Sequence, residues 1–269
     1  MQQITLPGTR LGVSRFIFGT AGLFNVGSEA KRANLLESAV DHGFTHFDTA
    51  PYYGFGTAER ALKLLLARFP DLTVTTKVGL YSPGGECQSD WRVLLRKAGG
   101  RLIPGLSRPA VDWNLSRARR ALDASLRRLG RGHIDLYALH EADIRLLDSE
   151  EWLRWLEDEV RVGRVRHFGI ALDMDRLRPF LETRNPLGAI IQTSDSLEGC
   201  EADLLARYGR PLQITYGYLS DAIRRHGTTD ARRVLGSALA RNRYGAVIVS
   251  TSKPSRMAQY AELTGTAAK

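Results

Sequence analysis

The chain has 269 residues, 43% of them hydrophobic and 25% charged, which suits a globular protein and leaves no apolar run near the roughly 20 residues that a membrane span needs. The net charge of +9 raises nucleic-acid binding, but the arginines are scattered over helix faces (Arg117, Arg119, Arg120, Arg127, Arg128) with no basic block interleaved with aromatics, so an anionic small molecule is the expected partner. Cys87 and Cys200 stand far apart with no CxxC spacing, which argues against a disulfide framework or a metal site and for a reducing, cytoplasmic setting.

The first residues, MQQITLPGTRLGVS, lack a basic segment followed by an apolar one, so no signal peptide is read there. They suggest a short hairpin turning at Pro7-Gly8 that could plug the bottom of a barrel. Eight strand-like runs follow: FIFGTA (16–21), THFDTA (45–50), LTVTTKVG (72–79), HIDLYALH (133–140), VRHFGIALD (165–173), AIIQTS (189–194), PLQITYGYL (211–219) and GAVIVST (245–251). Between them, apolar residues recur at helical spacing in 29–43, 57–69, 115–130, 151–163 and 228–242. Gly43, Gly130 and Gly163 fall where such helices should stop.

Strands alternating with helices imply parallel βαβ units. Eight of them in this length predict a (β/α)8 barrel with a short N-terminal hairpin, as one domain over 1–269. A doubly wound sheet is the alternative, but it calls for a glycine-rich GxGxxG turn after the first strand, and FGTAGLFNVG does not supply one. One connection stands out. Residues 80–114 carry Tyr81, Trp91 and Trp113 with Pro83, Pro104 and Pro109, and so read either as a functional loop on the catalytic face or as a disordered insertion.

In such a barrel, chemistry collects where the strands end. The polar residues there are Asp48, with Tyr53 beyond it, then Lys77, His140, Gln192, Tyr216, Ser250 and Ser252. Lysine is scarce, at positions 31, 63, 77, 97, 253 and 269, so one at a strand end needs a reason. Asp48, Tyr53, Lys77 and His140 make a coherent set. A buried lysine needs a carboxylate to keep its charge. That charge would lower the pKa of a neighbouring tyrosine, which then exchanges a proton with a substrate oxygen that the histidine orients. Taken singly, His140 reads as a core histidine, Lys77 as a surface charge and FDTAPYYG as a solvated turn. The four types on three consecutive strand ends favour the proton-transfer reading.

These stretches resemble the aldo-keto reductase superfamily. The resemblance is carried by FDTAPYYG with Glu59, TTKVG (75–79), SLRRLGRGHIDLYALH (125–140), GRVRHFGI (163–170) and VIVSTSKPSRM (247–257). It implies the same barrel, NADP(H) or less readily NAD(H) as cofactor, and hydride transfer between a nicotinamide and a carbonyl or alcohol substrate. It assigns Tyr53 as general acid-base, Lys77 and Asp48 as its tuning pair, and His140 as the group that orients the carbonyl. Gly19, Thr20, Asp48, Gln192, Tyr216, Gly217, Leu219, Ser250, Ser252 and Arg256 become cofactor-binding positions. Phe24, Tyr53, Tyr81, Trp113 and His140 become substrate-binding positions, and no metal is implied.

Some positions depart from the family pattern. The usual G-x-S-N at the fifth strand end is Gly169-Ile170-Ala171-Leu172, which removes two polar contacts that Asp173 could replace. TSDSLEG follows Gln192, and Thr251 stands where the cofactor loop usually has lysine, with Lys253 two positions on. Arg256 keeps a planar fork suited to a phosphate. The sequence ends at AELTGTAAK, without the C-terminal loop of longer members, which implies an open pocket shaped by residues 80–114 and those near Phe24. The leading expectation is reduction of an aldehyde or ketone, including sugars and keto-sugars. Oxidation of a sugar or polyol is the reverse alternative, and a non-catalytic nicotinamide-nucleotide-binding regulator is the alternative from another class.

Overall fold

The computed structural model describes residues 1–100, 107–227 and 229–265. Pro104, Thr228 and Lys269 lie outside the described residues. Strands β1 (Gln3–Thr5) and β2 (Gly12–Ser14) form the antiparallel hairpin. The chain continues through β3 (Phe16–Gly19), β4 (His46–Asp48) and β5 (Thr73–Val78), then the short β6 (Leu80–Tyr81) and β7 (Ala110–Val111). The last five strands are β8 (Ile134–His140), β9 (Val165–Leu172), β10 (Ile191–Ser194), β11 (Ile214–Tyr216) and β12 (Ala246–Val249).

Eight of these strands close a parallel barrel in the order β3-β4-β5-β8-β9-β10-β11-β12, with β12 returning to β3 through Val247 opposite Phe16. They are the eight runs read from the sequence. The helices outside are α1 (Glu29–Asp41), α2 (Thr57–Arg68), α3 (Asp90–Gly99), α4 (Leu115–Leu129), α5 (Ser149–Arg161), α6 (Met174–Glu182), α7 (Asp203–Arg207), α8 (Tyr218–His226), α9 (Ala231–Arg241) and α10 (Arg256–Gly265). Helix α4 shows why they form. Asn114 caps its first turn, accepting from the Arg117 N–H at 3.2 Å, and Gly130 ends it in the left-handed region. Leu115, Ala118, Leu122 and Leu129 repeat at three-to-four spacing and are buried.

Strand register decides what faces the barrel interior. Gly19 pairs with Asp48, Asp48 with Thr75, Lys77 with Ala138, His140 with Ala171, Ala171 with Gln192, and Ser194 with Tyr216. Side chains alternate along a strand, so this chain of pairs puts Asp48, Lys77, His140, Gln192 and Tyr216 on the inner face together. At the opposite end, Leu6, Leu11 and Val13 of the hairpin pack on the inner-face residues Ile17, Leu136, Ile190, Ile214 and Ala246. The hairpin therefore plugs the barrel bottom.

Two expectations change. Residues 80–114 are not a plain loop: β6 and β7 pair as a ribbon, and α3 lies between them. Helix α3 escaped notice because its apolar periodicity covers only ten residues between proline-bearing segments. The seventh strand stops at Tyr216 rather than Leu219, because Gly217 takes φ 104° and opens α8. Among the described residues, no helix is long and apolar enough to cross a membrane.

A buried clamp fixes the helices beside the site. Glu59 of α2 has no exposed surface. Its carboxylate accepts from Arg128 Nε of α4 and from Thr76 Oγ1 of β5, both at 2.6 Å. Burial opposes the Arg128 charge, but Glu59 outweighs it and raises the Arg128 pKa. Removing one member strands the other's charge in the core. Glu59→Ala is expected to cost about 3–5 kcal/mol of folding stability, read from the urea midpoint, whereas a loss below about 1 kcal/mol would show the clamp to be unimportant.

Candidate active site

Asp48 is the last residue of β4, and Lys77 is the last but one of β5. Both are nearly inaccessible, at 4% and 1% exposure. Lys77 Nζ lies 2.7 Å from each oxygen of the Asp48 carboxylate and 2.9 Å from the Thr49 carbonyl oxygen. Its remaining neighbour is the Tyr53 hydroxyl at 3.3 Å.

Tyr53 reaches that point because the β4–α2 connection coils tightly. Its N–H donates to the Ala50 carbonyl at 3.0 Å, and the Phe55 N–H donates to the Tyr52 carbonyl at 3.1 Å. Gly54, Phe55 and Gly56 then take φ values of 58°, 54° and 84° in succession. Gly56 must be glycine, since a Cβ there would overlap the Glu86 carbonyl oxygen. That contact ties the Tyr53 loop to the 80–114 segment. Arg60, in the first turn of α2, strengthens the tie by donating to the Glu86 carbonyl at 2.7 Å and to the Gln88 carbonyl at 2.9 Å. Tyr52 adds a bond to the Ser107 carbonyl at 2.9 Å.

Charge is distributed unevenly over these groups. Burial works against the Lys77 ammonium, but Asp48 and Tyr53 outweigh it and leave its pKa above the usual lysine value. Burial raises the Tyr53 pKa, and the nearby Lys77 charge only partly opposes this. The expected lowering of that pKa is thus corrected: desolvation outweighs the ammonium, because Asp48 already compensates most of its charge. Tyr53 stays a protonated phenol at neutral pH. His140, which closes β8, meets the Tyr53 ring edge-on with centroids 6.0 Å apart. Burial and then Lys77 hold its pKa well below the histidine range, so the imidazole is neutral with a single N–H to donate.

These four residues form the floor of an open cleft of about 280 Å³. One flank runs from Gln192 to Tyr216, Gly217 and Leu219, and the other includes Gly19 and Ser250. Gln192 is 4% exposed, and its Oε1 has no hydrogen-bond partner. Ala171, beside it on β9, brings no polar side chain to the wall.

The remaining expected positions lie elsewhere. Thr20 is fully buried and donates its hydroxyl to the Asp48 carbonyl at 2.9 Å. Ser252, on the β12–α10 connection, and Arg256, the first residue of α10, are exposed and lie beyond the cleft lining. Phe24 packs with Phe55 and with Val93 of α3. Tyr81 lies under the Arg117 guanidinium, 3.9 Å from its ring centroid. Trp113 stacks edge-on with Trp152 at 5.7 Å and fills the space over Gly79. Phe24, Tyr81 and Trp113, expected at the substrate, are packed against these neighbours and are not among the residues lining the cleft. Trp91 points to solvent at 59% exposure.

Glu141 directly follows His140 and has no motif signal of its own in the sequence. Its φ is 55°, and its pKa is pushed up to about 7 by burial and Asp173, against the pull of Arg176. Tyr218 and Ile248 also line the cleft without having been singled out.

Residues 15–190 match the model of the Aldo/keto reductase family. Pyridoxal 4-dehydrogenase of Microbacterium luteolum is 32% identical over 198 residues, covering 62% of this chain and 54% of that protein. The 6-dehydroglucose reductase of Agrobacterium fabrum is 29% identical over 180 residues, covering 64% of this chain and 54% of that protein. The chain thus spans about half the length of the curated relatives it matches. An aldo-keto reductase from Bacillus halodurans, solved in its holo form, superimposes with a TM-score of 0.73 at 21% identity, over 98% of this chain and 91% of that one. At that identity the likeness is one of fold. The family match covers more than half of the chain and takes in Asp48, Tyr53, Lys77 and His140, so the chain belongs to the aldo/keto reductase family.

Proposed function

We propose that the protein is an NADP(H)-dependent oxidoreductase that reduces an aldehyde or ketone to an alcohol by hydride transfer, with Tyr53 as the general acid. One observation carries this reading: an ammonium removed from water is held between the Asp48 carboxylate and the Tyr53 hydroxyl at the floor of an open cleft. A buried, costly ion pair next to a titratable group in a cleft is the kind of arrangement that marks proton-transfer sites.

The cleft suits a nicotinamide nucleotide. A buried acceptor without a partner, such as Gln192 Oε1, costs about 1–3 kcal/mol, and the N–H of a carboxamide would satisfy it. Gln192 and Tyr216 would hold the nicotinamide end, and Ser250, Ser252 and Arg256 the adenosine phosphate end. The bound nucleotide supplies the hydride, or takes it back in the reverse direction.

The chain's own residues handle the proton. The substrate oxygen lies between the Tyr53 hydroxyl and the neutral His140, which donates its one N–H and orients it. Tyr53 passes its proton to that oxygen as negative charge develops there. Lys77 stabilises the phenolate left behind, and Asp48 keeps Lys77 charged while this happens. A tyrosine held protonated by burial suits donation, and hence reduction. Oxidation of a sugar or polyol is the second reading; the dehydrogenase name of the Microbacterium relative supports its direction, not its substrate. Aldehydes, sugars and keto-sugars form the natural substrate panel, given the pyridoxal and 6-dehydroglucose of the relatives' names.

Tyr53→Phe should lower kcat by about 10²–10⁴-fold while NADPH affinity, followed by fluorescence quenching, stays unchanged. Undiminished turnover refutes the assignment. Tight NADPH binding by a wild type that turns over no carbonyl would favour the regulator alternative. The pH profile has a definite sign. The acid form of Tyr53 persists below its raised pKa, so reductive kcat is flat through neutral pH and falls only under alkaline conditions, whereas oxidative kcat climbs with pH. A reductive rate that already declines from neutral pH upward contradicts this. Arg256→Ala should weaken NADPH binding about tenfold and NADH binding much less, which competitive titration can separate.

A further inference from the structure

Strand β9 ends at Leu172 and α6 begins at Met174, so Asp173 holds the capping position of that helix. An aspartate there ordinarily turns its carboxylate onto the N–H groups of the first turn. Asp173 makes no such capping bond. Its Oδ1 accepts the Tyr216 hydroxyl instead, at 3.1 Å. Tyr216 closes β11, two strands further round the barrel, so the bond crosses the open end of β10. The first cation of α6 is engaged elsewhere: Arg176 donates to the Glu141 carbonyl oxygen and lies 3.8 Å from the Glu141 carboxylate.

The bond has its donor on a fixed side. Burial, then Asp173 and Glu141, raise the Tyr216 pKa, so the phenol keeps its proton. It also lies where support is scarce. Ala171 has no polar side chain, and Gln192 offers a single unpaired oxygen. A planar ligand entering along this flank therefore meets one polar partner and one aromatic face. An unanchored Tyr216 ring would have to be ordered when the ligand binds, whereas a ring already hydrogen-bonded is ordered beforehand.

We propose that Asp173 is a positioning residue, latching the Tyr216 ring across the end of β10 so that it stands ready as the stacking face for a bound nicotinamide. The proposal rests on the nucleotide-binding reading of the cleft. It makes the carboxylate a substitute, acting through an aromatic ring, for polar side chains that β9 does not provide.

The test is calorimetric titration of wild type, D173A, D173N, Y216F and the double variant D173A/Y216F with NADPH and, separately, with adenosine 2′,5′-bisphosphate. The latter probes the adenosine end alone. D173A should weaken NADPH by about 2- to 10-fold and leave the bisphosphate unchanged. D173N, whose amide oxygen still accepts the hydroxyl, should restore most of the affinity. Y216F keeps the ring but loses the bond, so it should match D173A, and the double variant should be no worse than either single one. Equal weakening of both ligands by D173A, or an unaffected Y216F, would show a merely structural role and overturn the latch. NADPH affinity identical in D173A and wild type overturns it too, while leaving the cofactor reading standing. A wild type that binds neither NADPH nor NADH removes the cofactor reading, and the latch with it.

Discussion

The Lys77 ammonium has almost no access to water, yet it remains charged because Asp48 contributes both carboxylate oxygens and Thr49 a carbonyl. Isolated at that depth, a lysine would give up its proton. Charged, it bears on its neighbours: it adds to burial in keeping His140 neutral, and it lies within reach of the Tyr53 hydroxyl. The pair adds little to stability, since desolvation cancels much of its attraction. In the proposed function, its value lies in fixing protonation states on the open cleft.

The barrel makes such a pair attainable. Asp48 and Lys77 are 29 residues apart in sequence but sit on adjacent parallel strands with aligned inner faces. A slip of one residue between β4 and β5 would turn one of them outward and leave the other buried and unpaired. The hairpin plug and the Glu59 clamp restrain that register from below and from outside. Fold and electrostatics therefore constrain each other: the strands deliver the charges, and the charges penalise misaligned strands.

Much of this was legible from residue pattern. Continuous apolar runs marked all eight barrel strands, which are covered on both faces, and three-to-four spacing marked the longer helices, which bury one. Short helices such as α3 and α6 were not singled out because nine or ten residues give too few turns to set a period. The clustering of Asp48, Lys77 and His140 was legible because each is a polar residue at the end of an apolar strand, and Tyr53 because it follows in the connection beyond Asp48. Tyr81 and Trp113 were not, because an aromatic side chain suits a pocket wall and a core equally well, and only its neighbours decide. The sign of the Tyr53 shift was hidden for a related reason: proximity to a cation can be inferred from strand order, whereas depth of burial depends on the whole assembled loop. Asp173 looked like a replacement contact and proves to be engaged by Tyr216.

The tie between the Tyr53 loop and the 80–114 segment bears on how such a barrel can diversify. An insertion on the catalytic face is usually regarded as a module, free to vary while the chemistry beneath stays put. Here the Arg60 guanidinium is satisfied by the Glu86 and Gln88 carbonyls, and the Gly56 backbone presses on Glu86. Transplanting a foreign segment between strands β5 and β8 would strip Arg60 of its acceptors and release the coil that aims Tyr53. Changes in the shape of the cleft would then arrive together with changes in how the Tyr53 hydroxyl is aligned. Such a scaffold favours gradual substitution within the existing segment over wholesale exchange of it.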